Sequence, residues 1–241
     1  MDLLVKTLKS INLVHLSFWK CKLNSQRCKL LAEILYTNTS ITDLYFGCSQ
    51  LDSEGEKALA DAFCKNTTLV SLDFYNNQLG KLLAKSLIKN DTLTHLKLAF
   101  NNLECEAGKS FAEVLYKNTT LIYLNLYGNR LGFEGINAIA NALCENVTLT
   151  ILNIGYNNIC SESIKSLAKA LHQNSSLVSL DLTFNHIHSD SGKLLAEALF
   201  TNTTLTSLVL CSNNINNEIT SGINNLLERN RRFRLMNNFC H

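Results

Sequence analysis

The side chains best able to do chemistry here are nine cysteines, a His-Ile-His cluster and a recurring set of asparagines. The cysteines (Cys21, Cys28, Cys48, Cys64, Cys105, Cys144, Cys160, Cys211, Cys240) are odd in number, widely spaced and form no C-x-x-C pair. A disulfide framework wants an even set in an oxidising compartment, and a zinc site wants ligands at short fixed spacings. Neither pattern is present, so the cysteines read as reduced, buried thiols acting as small hydrophobes. His186 and His188, with Asp190, resemble the start of a metal site, but Ile187 between them is an apolar position and no further ligand follows. No metal and no cofactor is expected. His172 is assigned to packing. Gly80-Lys81 lacks the upstream glycine of a phosphate loop, and neither H-E-x-x-H nor G-x-S-x-G occurs, so the expectation is a protein without catalytic activity.

Asn-x-Ser/Thr acceptor sequences begin at Asn38, Asn66, Asn90, Asn118, Asn146, Asn174 and Asn202. The opening Met1-Asp2-Leu3-Leu4-Val5-Lys6 has no basic n-region and no long apolar core, which argues against export. All seven asparagines also fall at one place in a repeated pattern, which makes them structural rather than glycosylated.

That pattern is the element that must position everything else. The phrase L-x-x-L-x-L-x-x-N-x-L opens at Leu13, Ile41, Leu69, Leu93, Leu121, Leu149, Leu177 and Leu205, in steps of 28 residues with one of 24. The second and third leucines, as in Leu124 and Leu126, are two apart, the period of a short strand with one face inward. Each phrase is followed by an Ala-rich segment with i, i+3/i+4 apolar spacing, such as Ile136 to Leu143, which predicts an amphipathic helix. The helices are expected to stop at Asn38, Asn66, Asn90, Asn118, Asn146, Asn174, Asn202 and Asn230 in the left-handed conformation that asparagine tolerates. The phrase asparagines, among them Asn101, Asn129, Asn157, Asn185 and Asn213, should be buried and bonded to backbone; Cys21 and Ser49 replace them in the first two units. Ser49 calls the ladder at its turn into question. The four residues missing after Leu79-Gly80 should shorten the third helix and alter the local curvature.

These residues resemble the ribonuclease-inhibitor-like class of leucine-rich repeats, found also in NOD-like receptors and Ran GTPase-activating proteins. The fold this implies is an α/β leucine-rich-repeat solenoid, a horseshoe of about eight units with a parallel sheet on the concave face and helices on the convex one. With no proline, no low-complexity tract and 46% hydrophobic residues, the chain reads as one domain over 1–241. It divides into a cap helix at 1–12, eight repeats over 13–228 and a C-terminal cap at 229–241, where Phe233 and Met236 predict a capping strand.

The exposed strand positions and the rim beyond them are the candidate partner surface: Trp19, Tyr45, Asp73, Tyr75, Lys97, Phe100, Tyr123, Tyr127, Tyr156, Asp181 and Phe184. Eight strands would make an inner face roughly 34 Å long, enough for a standard interface. Phe100, Tyr156 and Phe184, at one register, have an alternative role in packing against neighbouring turns. The basic run Arg229 to Arg234 reads as a solvated cap, with a docking patch for an acidic partner or for nucleic acid as the alternative. A net charge of +2 argues against nucleic acid, and no apolar run is long enough to span a membrane.

The expected function is therefore a monomeric, cytoplasmic module that binds a protein partner through its concave face. Abundant Asn, and Lys in excess of Arg, fit an AT-rich genome and a regulatory protein or an effector delivered into host cells. Two rivals remain. A Ran-type GTPase-activating protein is opposed by the scarcity of arginine in the repeats, only Arg27 and Arg130. A tight inhibitor of a basic hydrolase would need a more acidic inner face than Asp43, Asp73 and Asp181 provide.

Overall fold

The computed structural model describes residues 12–51, 53–77 and 81–239. The expected cap helix over 1–12 lies, Asn12 apart, outside the described residues. Eight strands form one parallel sheet in chain order: β1 (His15–Ser17), β2 (Asp43–Tyr45), β3 (Ser71–Asp73), β4 (His95–Lys97), β5 (Tyr123–Asn125), β6 (Ile151–Asn153), β7 (Ser179–Asp181) and β8 (Ser207–Val209). They alternate with helices α1 (Ser25–Thr37), α2 (Ser53–Lys65), α3 (Lys81–Leu87), α4 (Cys105–Lys117), α5 (Gly132–Leu143), α6 (Ser161–Gln173), α7 (Ser189–Thr201) and α8 (Asn217–Phe239). The molecule is an α/β leucine-rich-repeat solenoid.

Each strand is three residues long because only the second leucine and its two neighbours are extended before the chain turns. The second leucines pair with one another along the whole sheet, Leu16 to Leu44, Leu72, Leu96, Leu124, Leu152, Leu180 and Leu208. A slip of one residue would turn every leucine to solvent, so burial of this row enforces the register. The short third unit keeps it too: its loss falls on the helix side, where α3 has 7 residues against 13 in α2 and α4. The N–H groups of Leu82 and Leu83, at the start of α3, are taken by Glu56 of the preceding helix at 3.1 and 3.2 Å. A carboxylate from a neighbour thus does the work of a local N-cap.

Two ladders of asparagine hold the coils together. In the loop ladder, Asn129 accepts from the N–H groups of Asn101 and Leu103 and donates to the carbonyls of Leu98 and Leu126. Asn77, Asn101, Asn157 and Asn185 are buried in the same way. Ser49 does not interrupt this ladder. Its hydroxyl donates 2.6 Å to the carbonyl of Phe18, and its N–H still donates to Asn77. A hydroxyl can replace the amide because the ladder needs one donor reaching back and one N–H reaching forward.

The helix-end asparagines form the second ladder, and here the expected geometry is corrected. Asn38, Asn118, Asn174 and Asn202 are extended, with φ near −80° and ψ near 130°, not left-handed. Their conformation follows from what the buried amide binds. Asn174 accepts from the N–H groups of Ser176 and Leu177 and donates to the carbonyls of Leu143 and Asn146 in the preceding coil. Acceptance from residues i+2 and i+3 pulls the chain straight into the next strand. With both amide atoms engaged and buried, these asparagines are closed to glycosylation in the folded chain.

Asn230 departs from that rule, and with it the expected capping strand. Residues 231–239 continue α8 as helix. The oxygen of Asn230 accepts instead from the guanidinium of Arg229 at 2.9 and 3.1 Å, so it cannot straighten the chain. No Ser/Thr-Leu follows it, and Arg231-Arg232 favours helix. Arg229 also donates to the carbonyls of Leu199, Phe200 and Asn202, closing the end of α7, while Arg231 and Arg232 lie beside Glu228.

Two further expectations change. Of the eight described cysteines only Cys28 is fully buried, and Cys21, Cys160 and Cys211 are exposed, because most stand at loop and cap positions rather than leucine positions; no disulfide joins any of them. His172 is exposed on the helix layer and bonded to Thr201 at 2.7 Å; Tyr36, Tyr116 and Phe200, at the same repeat position in their own helices, are exposed as well.

Candidate functional site

The solvent-facing side of the sheet carries the candidate residues in two files. The residues flanking each buried leucine form the floor, where Asp73, Lys97, Tyr123 and Asp181 stand. The residues just past each strand form a rim, where the chain turns before the loop asparagine. Trp19, Tyr75, Phe100, Tyr127, Tyr156 and Phe184 lie there, and Tyr45 leans out from the end of β2 to join them.

The seven rings make one continuous ridge. Trp19 stacks on Tyr45 at 5.6 Å and meets Tyr75 at 6.1 Å. Tyr75 meets Phe100 edge-on at 5.5 Å, and Phe100 meets Tyr127 at 5.4 Å. Tyr127 stacks on Tyr156 at 6.1 Å, and Tyr156 meets Phe184 at 6.3 Å. All the centroid distances lie in the favourable range for aromatic pairs. Tyr123 stands apart on the floor, stacked on His95 at 5.8 Å.

Glycine in the following coil makes room for three of the rings. A Cβ on Gly47 would lie 2.1 Å from the Trp19 ring, on Gly128 2.7 Å from Phe100, and on Gly155 2.8 Å from Tyr127. Phe100, Tyr156 and Phe184 themselves have positive φ, between 52° and 59°, which is uncommon for an aromatic residue. Their N–H groups are pinned to the carbonyls of Tyr127, Thr183 and Cys211 in the next coil, and the turn that results swings the rings outward. Both readings of these three therefore apply: they lean on neighbouring turns, yet remain 39%, 55% and 52% exposed. Sequence inspection lists the rings but misses the glycines, whose signal is the alternation of large and small residues at two adjacent registers: Trp19, Gly47, Tyr75, Ala99, Tyr127, Gly155 in one, and Phe100, Gly128, Tyr156 in the next.

The floor is polar and partly self-satisfied. Asp73 accepts from the N–H of Tyr75 at 2.9 Å and faces the Lys97 ammonium at 3.9 Å. Burial pushes its carboxyl up, against the pull of the Tyr75 N–H and of Lys97. The Tyr45 phenol is raised by burial and then by the charge of Asp73. Asp181 and Asn153 share a hydrogen bond of 3.0 Å, and each also accepts from the N–H two residues ahead. A third file went unrecognised in the sequence: Val14, Thr42, Val70, Thr94, Ile122, Thr150, Val178 and Thr206, all β-branched, border the other edge of the floor.

His186 and His188 are both exposed on either side of the buried Ile187. Among the described residues no group of histidine, cysteine and carboxylate side chains could hold a metal, and no helix is long and apolar enough to cross a membrane.

No curated protein matches the chain in sequence. Among solved structures, it is similar to the actin-binding site 2 of leiomodin-1, with 25% identity and a TM-score of 0.60 over 65% of this chain and 91% of that one. It shares the fold of a Caenorhabditis elegans tropomodulin C-terminal domain at 13% identity and a TM-score of 0.51, covering 77% of this chain and 99% of that one. A protein from Bacteroides fragilis is similar at 13% identity and a TM-score of 0.52, covering 88% and 68% respectively. The leucine-rich-repeat family model matches residues 89–112, 117–140, 145–168, 173–196 and 201–223. With eight strands in repeat register and that match, the chain belongs to the leucine-rich-repeat family.

Proposed function

We propose that this protein is a non-catalytic binding module that holds a protein partner on the concave face of its sheet, with the aromatic ridge as the main contact. The observation that carries this reading is the ridge itself: seven rings in unbroken contact, several of them about half exposed, on the open side of the sheet. A monomer does not usually leave such a run of large rings facing water, and interface cores are enriched in Tyr, Trp and Phe. The rings are already held against one another and against glycines, so little side-chain entropy is lost when a partner docks. A cytosolic setting and a monomeric state belong to the same reading, as does a regulatory or host-directed role.

One observation favours an actin-like partner, namely the similarity to leiomodin-1 actin-binding site 2 over about two thirds of the chain. The Ran-activator reading is the weaker rival. Arg27, one of the few repeat arginines, is bound to the carbonyl of Lys22 at 3.1 Å and stands on the helix side rather than on the sheet face.

The test is retention of partners from lysate, and of purified actin, on immobilised wild type and on the Tyr75→Ala, Tyr127→Ala double variant. A specific partner should be held by the wild type and weakened by about 1–3 kcal/mol per ring in the variant, with unchanged circular dichroism. Equal retention by both proteins would show that the ridge is not the binding surface.

A further inference from the structure

Three carboxylates stand on the floor of the sheet, and they differ in how their charge is met. Asp43 lies 3.1 Å from Nδ1 of His15 and accepts the Thr42 hydroxyl at 2.6 Å. Asp73 faces the ammonium of Lys97 at 3.9 Å. Asp181 has no ion-pair partner among the described residues. Its Oδ1 accepts from the N–H of Thr183 at 2.8 Å and from the Thr183 hydroxyl, and its Oδ2 accepts from the Asn153 amide at 3.0 Å. All three donors are neutral. They fix the direction of the carboxylate and leave its charge uncancelled, with acceptor capacity to spare.

Asp181 lies between Asn153 and Val209 in the sheet, and the end of the ridge is tied to its turn: the Tyr156 N–H donates to the carbonyl of Thr183, whose own N–H is bonded to Asp181, and Phe184 follows. Tyr127, Tyr156 and Phe184 form the last three rings of the ridge, in contact at 6.1 and 6.3 Å. The carboxylate is close enough to be felt by the first of them: the Tyr127 phenol is raised by burial and then by the charge of Asp181. An oriented, half-buried carboxylate at the end of a ridge whose last two rings are exposed is complementary to a cation that is also planar and weakly hydrated. Guanidinium has those properties. It can stack on an aromatic ring while donating to a carboxylate, whereas ammonium is a compact and strongly hydrated point charge.

We propose that Asp181 and the Tyr127–Tyr156–Phe184 end of the ridge form a receptor for an arginine side chain presented by the partner protein. This rests on the reading of the sheet face as the partner surface and adds the chemistry of its C-terminal half. The N-terminal half is not equivalent, because Asp43 is already engaged by the His15 ring and the Thr42 hydroxyl, and Asp73 already faces the protein's own Lys97.

The probe is a blocked Gly-Arg-Gly tripeptide titrated into the full chain, with lysine and citrulline peptides as comparisons. Citrulline keeps the shape of arginine and removes its charge. The readout is the NMR shift of the Thr183 and Phe184 amides and of the Tyr127 and Tyr156 rings. Saturable shifts should appear with arginine, be several-fold weaker with lysine and vanish with citrulline. Asp181→Asn keeps an oxygen for the Thr183 N–H and removes the charge, so it should weaken the arginine peptide at least tenfold. Asp43→Asn, at the other end, should leave it unchanged. Asp181→Glu, which retains the charge, should recover part of the binding and guards against a loss of local structure. No saturable shift with arginine, or equal shifts in the wild type and in Asp181→Asn, overturns the proposal. If that happens while loss of Tyr75 and Tyr127 still releases the partner, the arginine receptor fails and the surface stands. If both series are silent, the surface fails with it.

Discussion

Asn101 and Phe100 are neighbours in the chain and opposites in environment. The asparagine is buried, its side-chain amide accepting from the Asn77 N–H and donating to the carbonyls of Phe74 and Ala99, whereas the phenylalanine is 39% exposed and held in a left-handed turn. The same inversion recurs at Tyr156 and Asn157 and at Phe184 and Asn185. A soluble fold ordinarily buries the ring and exposes the amide. The solenoid reverses this because every coil must supply polar side chains for backbone groups that no regular helix or strand satisfies at its corners. Once the asparagine occupies the interior, the residue before it is forced outward, and its identity is free to serve something other than stability. The buried ladder ties each coil to the next, and the ridge is the surface proposed here to meet a partner.

The largest expected effect lies on the ladder side of this comparison. Asn129→Ala removes the acceptor of the Asn101 and Leu103 N–H groups and the donor to the carbonyls of Leu98 and Leu126. At about 1–3 kcal/mol for each orphaned buried group, and with partial relaxation, the loss should reach about 3–5 kcal/mol in urea unfolding. A loss below about 1 kcal/mol, comparable to that of an exposed substitution, would erase the distinction between ladder and ridge.

A smaller effect tests whether the ladder alone can hold a coil whose helix is short. The third unit keeps its strand register and its asparagines, Asn77 and Asn90, while α3 has only 7 residues. Hydrogen exchange at Ala84 to Leu87 should be faster than at Ala112 to Leu115 in α4, because less helix packing resists local opening. Glu56→Ala, which uncaps α3, should widen the gap by about 1 kcal/mol. Equal protection in α3 and α4 would mean that the ladder and sheet determine local stability by themselves.

The smallest effect is on the ridge. Gly47→Ala places a methyl group against the Trp19 ring, which is partly exposed and able to move. Stability should change by less than about 1 kcal/mol. Trp19 is the sole tryptophan of the chain, so its emission should shift to longer wavelength as the ring leaves Tyr45. An unchanged spectrum would indicate that the ridge is not held in place by its glycines.

Repetition made most of the fold visible in the sequence. Leucines two residues apart, recurring in one register eight times, leave a short inward-facing strand as the only element that buries them all. The exposed positions of the floor follow from the same alternation, which is why His15 to Val209 fall on the strands as expected. The deletion in the third unit was equally readable, since leucine spacing around it is intact and only the helix could shorten.

What the tertiary structure decided were the partners that lie about one coil away. Asn38 and Asn230 hold the same repeat position, but one straightens the chain and the other sits inside a helix, because Arg229, anchored on the carbonyls of Leu199, Phe200 and Asn202 one coil back, occupies the oxygen that would have received the next strand's N–H groups. Ser49 looked like a gap and is a rung, because Phe18, thirty-one residues earlier, presents its carbonyl at hydroxyl reach. The candidate rings were all nameable from the sequence, yet their joining into one ridge depends on glycines in the following coil and on backbone turns pinned to it. Asp43, Asp73 and Asp181 are indistinguishable as letters at one kind of position. Only the neighbours brought alongside by the sheet determine which of the three keeps an unmet charge. Local pattern encodes which way a side chain points; whether its charge or hydrogen bond is already satisfied depends on contacts across coils, which spacing along the chain does not record.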